Sequence, residues 1–242
     1  ESKHSLLLRE YLRRTGQRCG ITVICVGNPT LGGAGKTPTA LAIGELLKAA
    51  GAQPYFLSRG YGGQVAGPLL VDPVRHGADL VGDEPLLLAR VAPTIVAHNR
   101  VAGAAMARES GASVVVMDDG FQNPSLDKDL SILVVDGRRG LGNGYVFPAG
   151  PLRAPIEAQL RRAQALMVVG YGDGAAAAKD DARRRNIPVF AARLDADIDD
   201  IAALAGKPVL AFAGIGDPEK FYATLTTAGI DVRVRRMVPD HY

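Results

Sequence analysis

The stretch Gly32-Gly33-Ala34-Gly35-Lys36-Thr37-Pro38 limits what this chain can fold into more than any other. It follows the apolar run Ile21–Val26 and precedes the helix-forming run Thr39–Ala50. Strand, glycine loop, lysine, hydroxyl and helix, in that order, make a cradle for the phosphates of a nucleotide. Glycines let backbone N–H groups turn onto phosphate oxygens, and the positive end of the following helix faces the same anion. Lys36 would reach the β- and γ-phosphates, the Thr37 hydroxyl would hold Mg²⁺, and Pro38 suits a first helical turn. The strict spacing G-x-x-x-x-G-K-[ST] is not met, because Thr30 stands where the first glycine belongs. The loop reads G-G-x-G-K-T instead. A chance glycine turn has no reason to lie between a strand and a helix in this order.

A second signal lies downstream. Val114-Val115-Val116-Met117 reads as a buried strand and ends in Asp118-Asp119-Gly120. Beside a phosphate cradle, a carboxylate at such a strand end orders Mg²⁺ and its waters. Adjacent strand residues face opposite sides, so one of the two aspartates faces the metal. Two loops are further candidates. Ser58-Arg59-Gly60-Tyr61-Gly62-Gly63 follows the short strand Tyr55–Leu57, at the kind of strand end where open α/β sheets bind ligands. Arg59 and Tyr61 there are candidates for substrate contact. Gly82-Asp83-Glu84-Pro85 opens a helix over Leu86–Val91, with Asp83 in an N-cap position and Pro85 near N1. Capping alone would account for Asp83.

The remaining pattern alternates. Strands are expected at Thr94–Ala97, Ile132–Asp136, Ala165–Val169, Val189–Ala191 and Val209–Ala213. Helices are expected at 101–110, Ile156–Ala163, 174–185, Ile198–Leu204 and Pro218–Thr227, and a loop over Val71–Val81. Such alternation predicts an α/β fold with a P-loop NTPase-like parallel sheet flanked by helices. The Pro148–Arg153 stretch predicts a hinge. A kinase lobe over 1–147 and a second, smaller α/β lobe over 148–242 follow.

A chain of 242 residues with 47% apolar content can bury a core of this kind. Its net charge of +3 gives no footprint for nucleic acid. Cys19 and Cys25 form neither a disulfide framework nor a metal pattern. No run of about 18 apolar residues is present to span a bilayer. Residues 5–15 read as a basic amphipathic helix, able to rest on an anionic membrane or to pack on the domain with solvated arginines.

As a set, the segments VGNPTLGGAGKTP, SRGYGG, GDEP, DDGFQNPSLDKDLSILVVD, PAGPLRAP, AFAGIGDPEKF and PDHY resemble the tetraacyldisaccharide 4′-kinase family, the lipid A 4′-kinases of Gram-negative bacteria. They run in the family's order over nearly the whole chain. The resemblance implies transfer of the γ-phosphoryl of ATP to the 4′-hydroxyl of a lipid A disaccharide precursor. It implies work at the cytoplasmic face of the bacterial inner membrane, in peripheral contact with the bilayer. It further implies ATP and Mg²⁺ as cofactors and a glycolipid substrate; a monomer is expected. Gly32, Gly33, Ala34, Gly35, Lys36, Thr37 and Pro38 would hold the nucleotide. Thr37, Asp118, Asp119 and Glu84 would hold the metal. Asp83, paired with His241, would act as base on the sugar hydroxyl, with Lys36 and Arg153 completing the catalytic set. Arg59, Tyr61, Arg100 and Gln122 would touch substrate.

The chain departs from the family at three places. Asn123 stands where members usually have histidine, Ala34 where many have a polar residue, and Tyr242 where a second histidine is usual. The membrane-inserted first helix and the continuation beyond Asp240-His241 are missing from the pattern, so a fragment of the kinase is expected. Two other readings share the cradle. One is a P-loop GTPase or ATPase of the metallochaperone or partition type, several of which carry a lysine where Leu31 stands. The other is a nucleotide-binding module without catalysis.

Overall fold

The structure, a computed structural model, describes residues 16–215 and 217–238. The chain divides into two compact units, Glu1–Ala192 and Arg193–Tyr242.

The first unit is built on an eight-stranded sheet in the order β3-β4-β2-β5-β1-β6-β7-β8. The strands are β1 (Thr22–Gly27), β2 (Pro54–Ser58), β3 (Leu69–Leu70), β4 (Thr94–Val96), β5 (Val114–Asp118), β6 (Leu130–Asp136), β7 (Ala165–Val169) and β8 (Val189–Ala192). All pairings are parallel except the short β3 on β4. Helices α1 (Lys36–Ala49), α2 (Ala78–Val81), α3 (Asp83–Leu88), α4 (Arg100–Glu109), α5 (Ile156–Leu160) and α6 (Ala176–Arg184) complete it.

Period-two alternation sorts the strand residues between two cores. Val23 and Cys25 of β1 and Val115 and Met117 of β5 join a cluster with Ala104 of α4 and Leu160 of α5. Val26, Val116 and Val134 point the other way and pack with Ala40 of α1 and with Phe56 and Leu88. Every residue of β5 is buried, as expected for a central parallel strand covered on both faces. By the same parity Asp118 lies on the α1 side, which brings its carboxylate to the start of that helix.

The second unit contains helices α7 (Ile198–Leu204) and α8 (Pro218–Thr227) and a parallel pair, β9 (Pro208–Ala213) with β10 (Asp231–Met237). Its core joins Ala211, Tyr222, Leu225 and Ile230.

Four expectations change here. The boundary falls after Ala192 rather than at 147/148, because β7 and β8 extend the first sheet in parallel instead of opening a new one. Asp83 is not the cap of α3. Gly82 holds that position, and α3 begins at Asp83, three residues before the expected Leu86. The loop expected over Val71–Val81 ends in the short helix α2. Strand β10, not foreseen, pairs along β9 although nearly all of it is exposed. The basic amphipathic stretch 5–15 and His241 lie outside the described residues.

Candidate active site

The cradle forms where the sequence places it, between β1 and α1. Gly35 is the N-cap of α1 with φ 93°, a left-handed backbone that a side chain would strain. Ala34 is buried, whereas Gly32 and Gly33 are exposed and nothing lies within 4 Å of the point where either would carry a Cβ. The loop therefore presents bare backbone to open space at the positive end of a 14-residue helix.

Two clusters of side chains flank it. In the first, the Thr37 hydroxyl lies 2.8 Å from Asp118 Oδ2 and 3.3 Å from Glu84 Oε1. A hydroxyl has one proton, so it can donate to one of these carboxylates at a time. Asp118 is 2% exposed, and its Oδ1 is buried without a hydrogen-bond partner. Burial, then the Glu84 carboxylate, push its carboxyl up to about 7, against the opposing pull of the Thr37 hydrogen bond and Lys36. Two carboxylates thus meet on one hydroxyl, with one buried oxygen of Asp118 left over.

In the second cluster two cations share one carboxylate oxygen. Asp119 Oδ2 lies 3.9 Å from Lys36 Nζ and 3.3 Å from Arg153 Nη2. Asp119 has φ 51°, a left-handed conformation that aspartate tolerates. The reversal turns its carboxylate away from the line of β5 and towards the cations. Arg153 is fixed independently: its Nε donates to the Thr30 carbonyl at 3.0 Å, and its backbone N–H donates to Pro29 at 2.8 Å.

Glu84 on Thr37 also fixes the neighbourhood of Asp83, since each is one residue from a proposed catalytic group, Asp83 and Lys36. Asp83 is exposed and accepts a 2.9 Å hydrogen bond from the Glu84 amide through Oδ1. Gly82 couples this segment to the Arg59–Gly63 loop. Its φ is 88°, and a Cβ there would stand 2.5 Å from the Tyr61 carbonyl. The SRGYGG and GDEP segments thus pack backbone to backbone.

The other expected substrate residues differ in character. Tyr61 is 66% exposed, and Arg59 is exposed as well. Arg100 is buried and donates from Nη1 to the Ser58 and Ala97 carbonyls. Burial, then the nearby Arg59, lower its pKa to about 10. Gln122 donates from Nε2 to the Asn28 carbonyl at 3.0 Å and to Gln159 Oε1 at 3.2 Å.

Sequence reading missed Asn28 and Gln159. Asn28 is fully buried and donates from Nδ2 to the Gly32 carbonyl at 3.0 Å, which braces the cradle from behind. The Asn-Pro-Thr run after β1, with no glycine until Gly32, was the available signal.

Strand, glycine loop and helix, with a carboxylate at the end of the adjacent parallel strand, define a P-loop protein of the kinase fold. Residues 4–242 match the family described as tetraacyldisaccharide-1-P 4′-kinase, LpxK. The chain belongs to this family. It is 57% identical over 239 residues to the tetraacyldisaccharide 4′-kinase of Methylobacterium radiotolerans, covering 99% of this chain and 72% of that one. It is 54% identical over 231 residues to that of Bradyrhizobium sp. strain BTAi1, covering 96% and 67%. Among solved structures it is similar to LpxK from Aquifex aeolicus in complex with ATP. That match has a TM-score of 0.75 at 28% identity, over 99% of this chain and 77% of that one.

Proposed function

We propose that the chain transfers the γ-phosphoryl group of ATP to the 4′-hydroxyl of a lipid A disaccharide precursor, and that the two clusters divide the work. The observation that carries the reading is the meeting of Asp118 and Glu84 on the Thr37 hydroxyl at the mouth of the cradle. It joins three segments distant in sequence around the first turn of the phosphate-binding helix.

The backbone of Gly32–Gly35 and the start of α1 hold the β- and γ-phosphates. Lys36 lies across them, and Pro38 leaves the first turn without a surplus donor. Thr37, Asp118, Asp119 and Glu84 suit Mg²⁺: hard oxygen donors, with one oxygen of Asp118 and one of Asp119 buried and lacking a hydrogen-bond partner. When bound, the ion would neutralise charge on the β- and γ-phosphate oxygens. Asp119 holds Lys36 and Arg153 on one carboxylate oxygen, screening their mutual repulsion until a phosphoryl group arrives. The two cations then face the charge that develops in transfer. Asp83 takes the proton of the attacking hydroxyl, with His241 as its partner. Arg59 and Tyr61, exposed on the adjoining loop, contact the sugar.

The substrate is a lipid, which supports peripheral contact with a bilayer at the cytoplasmic face of the inner membrane, and residues 5–15 are the candidate segment. Among the described residues no helix is long and apolar enough to cross a membrane. The test is incubation with radiolabelled ATP and a lipid A disaccharide precursor, followed by chromatography. Label on the glycolipid is expected. Nucleotide hydrolysis with no labelled lipid would favour the GTPase or ATPase reading.

A further inference from the structure

Helix α5 carries a buried glutamine whose amide is bonded to two backbone carbonyls and one side chain. Gln159 is fully buried. Its Nε2 donates to the Pro29 carbonyl at 3.1 Å and to the Ala154 carbonyl at 2.7 Å, and its Oε1 accepts from Gln122 Nε2 at 3.2 Å. The orientation of the amide is set by these partners. Turning it over would aim an oxygen at two carbonyl oxygens.

Each partner belongs to a different part of the site. Pro29 begins the limb leading from β1 into the glycine loop, and its carbonyl also receives the backbone N–H of Arg153 at 2.8 Å. Ala154 follows Arg153 directly. Gln122 lies in the loop that starts at Asp119, and the same Nε2 reaches the Asn28 carbonyl. The Leu31 amide adds a bond to the Pro151 carbonyl at 2.8 Å. Arg153 is thus held in front by Asp119 and the Thr30 carbonyl, and from behind through Pro29 and Ala154 by a single carboxamide.

We propose that Gln159 is a positioning residue for phosphoryl transfer: it fixes the guanidinium of Arg153 and the first limb of the cradle against the loop that carries Asp119. This rests on the kinase reading above. Nucleotide affinity comes mainly from the glycine-loop amides and Lys36, which Gln159 does not touch. Arg153 acts on the transferring group, where a displacement of about 1 Å costs on the order of 100-fold. Loss of the carboxamide should therefore appear in kcat more than in KM for ATP.

Gln159→Met keeps length and apolar volume and removes all three hydrogen bonds. The expected result is a fall in kcat of about 10- to 100-fold, with KM for ATP within about threefold. In an Arg153→Ala background the same change should cost less than about threefold, because the group it positions is gone. Gln159→Asn, which keeps an amide one methylene short, should fall between wild type and Gln159→Met and show the same non-additivity. It serves as the probe if Gln159→Met does not fold. An unchanged kcat overturns the proposal. So does an equal loss in both backgrounds, or a rise confined to KM for ATP. If the wild-type chain labels no glycolipid, the kinase reading falls and takes this one with it. If wild type is active and the variants keep its kcat, this proposal falls alone.

Discussion

The two sides of the cradle are built on opposite principles. On one side Thr37, Glu84 and Asp118 converge, two carboxylates on one hydroxyl, with Asp118 2% exposed and its Oδ1 lacking a hydrogen-bond partner. On the other, Lys36 and Arg153 share Oδ2 of Asp119, which is 34% exposed and whose Oδ1 is likewise buried without a hydrogen-bond partner. One side gathers acids on a hydroxyl, the other gathers cations on an acid. A metal-bound triphosphate would complement both, its cation the first and its phosphates the second. Such an arrangement is what an enzyme retains for a ligand; a purely structural ion-pair network would have closed on itself.

This contrast can be broken in stages. Lys36→Ala should have the largest effect, a loss of about 10³-fold in kcat/KM with thermal stability retained, read by glycolipid labelling and a melting curve. Full activity in that variant would remove the cradle assignment. Asp118→Asn keeps a hydrogen-bonding group for Thr37 but halves the acidic charge. We expect a loss of about 100-fold, partly recovered by raised Mg²⁺ and unaffected by raised ATP alone. Recovery by neither would mean that the acidic side does not hold the ion. Arg153→Lys replaces a fork with a point charge and should cost about 10-fold in kcat. No loss there would show that charge suffices and that the fork geometry is idle.

Two smaller changes mark where the contrast ends. Arg100 is a third cation near the site, but its Nη1 is occupied by backbone carbonyls. Arg100→Met should destabilise the fold by about 2–4 kcal/mol in urea titration, while activity per folded molecule changes little. A selective loss of activity would return it to the substrate contacts. Cys25, in β1 beneath both aspartates, has its thiol pushed up to about 12, chiefly by burial. A raised thiol pKa removes thiolate, so in native protein at pH 8 it should resist alkylation and react only on unfolding, as mass spectrometry would show.

The cradle was legible because its signal is local, with strand, loop and helix contiguous in the chain. Asp118 was legible because an apolar run ending in an acid stands out. Glu84 was legible only through the family resemblance, which put it in the metal set. Its contact with Thr37 bridges 47 positions, and no local pattern in the sequence shows it. Gln159 was hidden more completely, since a glutamine on an amphipathic helix looks like part of a solvated face until loops from elsewhere cover it. The domain boundary went astray because strand–helix alternation is the same whether a parallel strand joins the existing sheet or begins another. Strand β10 was obscured by its arginines, which an exposed strand in a two-stranded sheet accommodates.

The left-handed residue at the end of β5 has a consequence for anyone rebuilding this chemistry. Because the backbone reverses at Asp119, its carboxylate comes round to Lys36 and Arg153 beside the cradle, where the next residue of a regular strand would face the opposite side of the sheet. Grafting two acids onto the straight end of a strand would reproduce the composition and send the second carboxylate to the far face of the sheet. What has to be transplanted is the kink, and a β-branched residue at that point would undo it without removing a single charge from its neighbours.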